Sequence, residues 1–171
     1  MVLVIGRKLK VEKISFYAKN LITSLKQKGE RVCCAESCTG GMITAALTEI
    51  PGSSSVLSRG FVTYSNQSKI DMLGVKLKTL ELHGAVSGQT VSEMASGAIT
   101  ASNGEADYAI AVSGVAGPDG GNKEKPVGLV YICILKKGDV GEIKKYIFRG
   151  DRQSVRYQTV MKALDNLTQL V

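Results

Sequence analysis

The chain has 171 residues, 44% hydrophobic and 22% charged, with a net charge of +7 and a mean hydropathy of +0.06. That is one domain's length, residues 1–171, and such a chain buries roughly 70% of its unfolded surface without needing a disulfide or metal. The balance excludes a disordered, collagenous or coiled-coil chain, and no apolar run approaches the ~18–20 residues of a membrane span.

Ile14, Tyr17, Ala18, Leu21, Ile22 and Leu25 repeat at helical spacing and predict an amphipathic helix over about 12–28, stopped by Gly29. The apolar run Val32–Ala35 reads as a buried strand. Ile43, Ala46, Leu47 and Ile50 predict a helix over about 39–50, ended by Pro51-Gly52. A second strand is expected at Gly60–Ser65 and a short helix at Asn66–Leu73. Val91, Met94, Ala95, Ala98 and Ile99 mark a helix over 88–102. Tyr108–Val112 is a strand, and Gly114–Pro126 a glycine-rich loop. Val127–Leu135 and Ile143–Phe148 form a hairpin about Lys136–Asp139. A last helix spans about Arg152–Leu170. Continuous apolar strands alternating with amphipathic helices imply an α/β sheet covered on both faces, and the late hairpin makes it mixed.

Charge and cysteine usage narrow the setting. Residues 1–31 carry eight basic and two acidic residues, and 136–171 carry eight and four, whereas 32–135 carry six and nine. A pI of 9.3 invites a nucleic-acid reading. Trp is absent and Phe numbers three, so stacking platforms are scarce, and the excess reads better as solvated lysine. Cys33, Cys34, Cys38 and Cys133 form no CxxC pair and His83 is the one histidine, so neither a metal site nor a disulfide framework is expected. Free cysteines and a start, Met1–Ile14, with no continuous apolar signal core point to the cytoplasm.

The stretch AESCTGG, Ala35–Gly41, runs from a strand through a polar turn into a helix. That turn exposes Ser37 at the carboxyl end of the sheet, where α/β proteins bind ligands. The N–H groups of Thr39, Gly40 and Gly41 would be free at the helix start to hold a phosphate or an oxyanion. Ser37 or Thr39 reads equally well as a simple helix cap. A serine nucleophile needs a base. His83 is one option, though the G-x-S-x-G elbow is absent. Lys69 is the other, because burial beside a helix N-terminus lowers a lysine's pKa. Cys38 would itself be reactive if those N–H groups lowered its pKa. Gly114–Gly121 matches neither standard nucleotide loop, and it reads as a plain turn or as a ligand-facing loop.

AESCTGG, GFVTYSNQSK at Gly60–Lys69, HGAVS at His83–Ser87, SGVAGPDGG at Ser113–Gly121 and KPVGLVY at Lys125–Tyr131 together resemble the CinA C-terminal domain family in order and spacing. The resemblance implies a three-layer α/β/α sandwich with a mixed, mostly parallel sheet. It implies nicotinamide mononucleotide deamidase activity, giving nicotinic acid mononucleotide and ammonia in pyridine nucleotide recycling. On that resemblance Ser37 is the nucleophile, Lys69 the base, and Tyr64 a support for proton transfer. Cys38, Thr39, Gly40, Gly41, Gly117, Gly120 and Gly121 would surround the substrate, with Arg149–Arg152 a further source of phosphate contacts. Neither metal nor cofactor is implied, and self-association as a dimer or trimer is. The alternative is a non-catalytic nucleotide- or nucleic-acid-binding module tied to competence and DNA damage.

Overall fold

The computed structural model describes the backbone of residues 2–171 and side chains from residue 12 onward. Helix α1 (Val2–Lys28) leads into β1 (Val32–Glu36), α2 (Met42–Thr48), a 3₁₀ turn at Ser53–Ser55 and β2 (Leu57–Val62). Then come α3 (Asn66–Leu73), α4 (Leu77–His83), α5 (Gly88–Ala101), β3 (Tyr108–Gly114), β4 (Leu129–Lys136), β5 (Glu142–Ile147) and α6 (Arg152–Thr168).

One five-stranded sheet has the order β2-β1-β3-β4-β5. β1 pairs in parallel with both β2 and β3, while β3–β4 and β4–β5 are antiparallel. Only β4 is therefore reversed. The sheet is mixed, with most strands pointing one way but its pairings evenly divided. The short turn after Lys136 accounts for the antiparallel β4–β5 pair, since such a turn can join only antiparallel neighbours, and β3–β4 is antiparallel across the longer connection 115–128.

Strand residues alternate between two cores, as the period of two demands. Val32, Cys34, Ile110, Val112, Ile132 and Ile134 face α1, α2 and α6. Cys33, Ala35, Ala109, Ala111 and Cys133 face the α3–α5 layer. Small side chains on that second face let the helices sit close. A Cβ on Gly97 of α5 would lie 1.9 Å from the Leu73 carbonyl oxygen at the end of α3. All four cysteines are free and buried, packed as small apolar groups.

The expected elements are present with shifted ends. The second strand lies at Leu57–Val62 rather than 60–65, because residues 63–65 leave the sheet and turn their carbonyls toward Lys69. Helix α2 begins at Met42 rather than Thr39, since Gly40 and Gly41 adopt left-handed conformations, φ +59° and +91°. Helix α4 has no counterpart among the expected elements. It buries only Leu80 and has no side-chain cap, so it leaves no periodic signal.

The connection from β1 to β2 passes through α2 on one face, and that from β2 to β3 through α3–α5 on the other. β1 thus lies at a topological switch point, and the carboxyl ends of β1, β2 and β3 open onto one crevice.

Candidate active site

Ser37 is the first residue past β1. Its N–H donates to the Val112 carbonyl (3.1 Å), extending the β1–β3 ladder, and its own carbonyl accepts from Gly40 N–H (3.1 Å). The nucleophile candidate therefore sits on a tight turn anchored to the sheet. Its left-handed bend is why glycine stands at 40 and 41.

Lys69 lies on α3, whose start is capped by the Ser65 hydroxyl accepting from Ser68 N–H at 3.0 Å. Its side chain runs inward and is 1% exposed. Nζ lies 3.1 Å from Ser37 Oγ and donates to the Thr63 carbonyl at 2.8 Å, with the Tyr64 and Ser65 carbonyls at 3.4 and 3.5 Å. Burial lowers the Lys69 pKa from 10.5 to about 8. The carbonyls work the other way, because they accept only from the amine's protons and so hold a proton once it arrives. A lysine so placed is neutral often enough to take a proton and is equipped to keep it briefly.

Ser37 and Lys69 share a cavity of about 270 Å³ with Cys38, Tyr64, Ala85, Val86, Ser113, Gly114, Ala116 and Arg152. A larger groove of about 580 Å³ lies between α1 and Ile50-Pro51. Its polar lining is Lys19, Thr23, Lys26 and Gln27, with no nucleophile paired to a base, so its size carries no chemistry.

The other expected residues divide. Tyr64 is on the cavity, but its 63%-exposed side chain turns its hydroxyl to accept from Arg152 Nη2 at 3.2 Å. Its carbonyl, not its hydroxyl, faces Lys69. Cys38 lines the cavity as a protonated thiol, its pKa pushed up to about 12 by burial and, secondarily, by the nearby Glu36 carboxylate. The idea of a reactive Cys38 fails for that reason. Thr39 is buried, and its carbonyl accepts from Arg156 Nη2 at 2.7 Å. Gly40 N–H is spent on the turn, whereas Thr39 and Gly41 N–H meet no protein acceptor among the described residues. Gly117, Gly120 and Gly121 do not line the cavity. A Cβ on Gly117 or Gly121 would come within 2.6 Å or 2.8 Å of Val127, so loop packing accounts for both. Gly117 reaches the cavity only through its carbonyl, which accepts from Arg152 Nη1 at 2.8 Å. His83 ends α4 exposed to solvent and does not line the cavity that holds Ser37.

Sequence reasoning passed over two residues. Glu36, fully buried, accepts from Ile43 N–H (3.0 Å), Thr44 N–H (2.8 Å) and the Thr44 hydroxyl (2.8 Å). It, and neither Ser37 nor Thr39, caps α2. Ser113, 1% exposed, donates to the Ala85 carbonyl at 2.7 Å and closes the cavity wall between β3 and the α4–α5 connection. Both stand inside motifs already noticed, but nothing local marks them as more than strand ends.

Residues 14–171 match the CinA C-terminal domain. The chain belongs to that family. The chain is 49% identical over 146 residues to the nicotinamide-nucleotide amidohydrolase PncC of Escherichia coli K12, covering 85% of this chain and 87% of that one. It is 52% identical over 141 residues to the protein of the same name from Enterobacter agglomerans, covering 82% and 85%. Among solved structures of the CinA superfamily, the competence/damage-inducible protein CihA of Agrobacterium tumefaciens superposes with a TM-score of 0.89 at 46% identity, covering 92% of this chain and 95% of that one.

Proposed function

We propose that this protein is a nicotinamide-nucleotide amidohydrolase, removing the carboxamide nitrogen of nicotinamide mononucleotide through a Ser37–Lys69 pair. The observation that carries the mechanism is the 3.1 Å approach of a buried, pKa-lowered Lys69 Nζ to Ser37 Oγ. The relatives named for this activity, matched over most of their length, support the substrate.

In this reading neutral Lys69 accepts the Ser37 hydroxyl proton as Oγ attacks the carboxamide carbon. Backbone N–H groups of the Cys38–Gly41 turn hold the oxyanion. Collapse breaks the C–N bond, Lys69 returns its proton to the departing nitrogen, and ammonia leaves. Water then gives a proton to Lys69 and attacks the acyl ester. As that intermediate collapses, Ser37 Oγ leaves with the proton and nicotinic acid mononucleotide is released. Arg152, whose guanidinium borders the cavity, faces the substrate phosphate. Tyr64 holds that guanidinium in place through its hydroxyl.

The same reading takes the chain as one domain acting in the cytoplasm as a homo-oligomer. Four free buried thiols suit a reducing compartment, and among the described residues no helix is long and apolar enough to cross a membrane. Exposed Ile143 and Ile147 on the edge strand β5 offer apolar surface to a second copy.

The test is ammonia release from nicotinamide mononucleotide by the protein and by Ser37→Ala. A loss of at least ~10³-fold in the variant is expected for removal of a nucleophile. Equal activity in both would remove Ser37 from the mechanism.

A further inference from the structure

The turn that carries Ser37 is closed from behind by a carboxylate. Glu36, the residue before Ser37, sends its side chain under the turn to the far side, where it takes the N–H groups of Ile43 and Thr44 and the Thr44 hydroxyl. These are early helical donors that α2 cannot satisfy itself, and the helix has no other side-chain cap because its N-cap is Gly41. One side chain therefore ties the residue entering the turn to the helix leaving it.

The main chain of Glu36 makes a second tie. Its carbonyl accepts from Thr63 N–H at 2.8 Å, and the Thr63 carbonyl in turn accepts from Lys69 Nζ at 2.8 Å. The strand end before Ser37 and the segment cradling Lys69 are thus held together at one residue. A third feature makes room for the arrangement. A Cβ on Gly60 of β2 would stand 2.6 Å from Thr44 Oγ1 and 2.7 Å from Thr44 Cγ2, so only glycine there leaves the Thr44 side chain its place against Glu36.

We propose that Glu36 is a positioning residue: its buried carboxylate, held by Ile43 and Thr44, fixes the Ser37 turn so that Ser37 Oγ meets Lys69 Nζ. This rests on the Ser37–Lys69 reading. Glu36 itself touches no reacting atom. The arrangement accounts for a fully buried acidic side chain that a plain strand end would not require, since an isolated buried carboxylate is costly unless its oxygens are satisfied. It also explains why a seven-residue helix follows the nucleophile at all: α2 is the fixed body to which the turn is fastened.

The test is Glu36→Gln, which keeps the shape but sets an amide N–H₂ against a backbone donor. Misplacing a reacting group by about an ångström typically costs ~10²-fold, so kcat should fall on that scale with KM within about threefold. Ala46→Gly, in the middle of α2, serves as the control for mere loss of helix stability and should keep its kcat at temperatures well below unfolding. Should Glu36→Gln not fold, Thr44→Val and Thr44→Ser carry the test. The first removes the hydroxyl bond and should lower kcat, and the second keeps it and should not. An unchanged kcat in Glu36→Gln or in Thr44→Val, or an equal fall in Ala46→Gly, overturns the proposal. Ser37→Ala run alongside separates the two readings. If it is inactive while Glu36→Gln retains full kcat, the dyad stands and the positioning role does not.

Discussion

Replacing Lys69 by methionine should abolish ammonia release and change how stability depends on pH. The folded-state pKa of Lys69 is about 8, against 10.5 for an ordinary lysine. The native protein therefore gives up this proton first as pH rises. Below pH 8 both states carry it, and the native state bears the full cost of a desolvated ammonium. Between about pH 8 and 10.5 only the unfolded chain is protonated, so Lys69 raises stability with pH across that window. At about 1.4 kcal/mol per pKa unit, the cost at pH 7 is about 3 kcal/mol, of which about 2 kcal/mol is relieved by pH 9.5. Methionine carries no such cost, but it leaves the Thr63 carbonyl without its donor, a loss of roughly 1–3 kcal/mol. The two effects nearly cancel at pH 7, so a single melting temperature decides nothing. The informative quantity is the difference between the two proteins across pH.

Urea unfolding of the protein and of Lys69→Met at pH 7, 8, 9 and 9.5 measures it. Other titrating groups are common to both chains and drop out of the difference. Wild-type protein should gain about 2 kcal/mol on the variant over that range. Activity should follow the same group. At pH 7 a lysine of pKa about 8 is neutral in about one molecule in eleven, against about one in three thousand at the ordinary value. kcat/KM should thus climb about tenfold per pH unit and level off near pH 8. Parallel stability curves for the two proteins would refute the reasoning, since they would mean that the Lys69 ammonium is not desolvated in the fold.

Arg152→Ala should raise KM for the mononucleotide at least ~10-fold while leaving kcat/KM for the phosphate-free nucleoside unchanged, and steady-state kinetics on both substrates would check it. Gly97→Ala places a methyl 1.9 Å from the Leu73 carbonyl and must push α5 from α3, costing roughly 1–3 kcal/mol in a urea titration. Because α3 carries Lys69, kcat should fall with it, and an unshifted midpoint would mean that the helix pair adjusts freely.

What was legible along the chain was what neighbouring residues decide together. Helical spacing at Val91–Ile99, the apolar run at Val32–Ala35 and the glycine pair after Ser37 each write a local structure into a few consecutive positions, and each is found. Where elements begin and end was less legible, because ends depend on partners. The second strand stops at Val62 because the next carbonyls turn to a lysine on the following helix. Helix α4, with only Leu80 buried, had no period to betray it. The exclusion of Cys38 was equally invisible, since its pKa is set by what buries it and not by its sequence neighbours.

The sequence by itself determined the α/β alternation, the serine turn and the presence of a lysine within reach of a helix start, all of them local matters of period and backbone conformation. The tertiary structure decided which side chains meet. It brought Lys69 across 32 positions to Ser37 and Arg152 across 88 positions to Tyr64, and it left His83 in solvent. It also turned an ordinary lysine into one with a pKa of about 8. Both outcomes follow from packing several elements around the end of one central strand, where contact and desolvation are properties of the assembled fold and of no single segment.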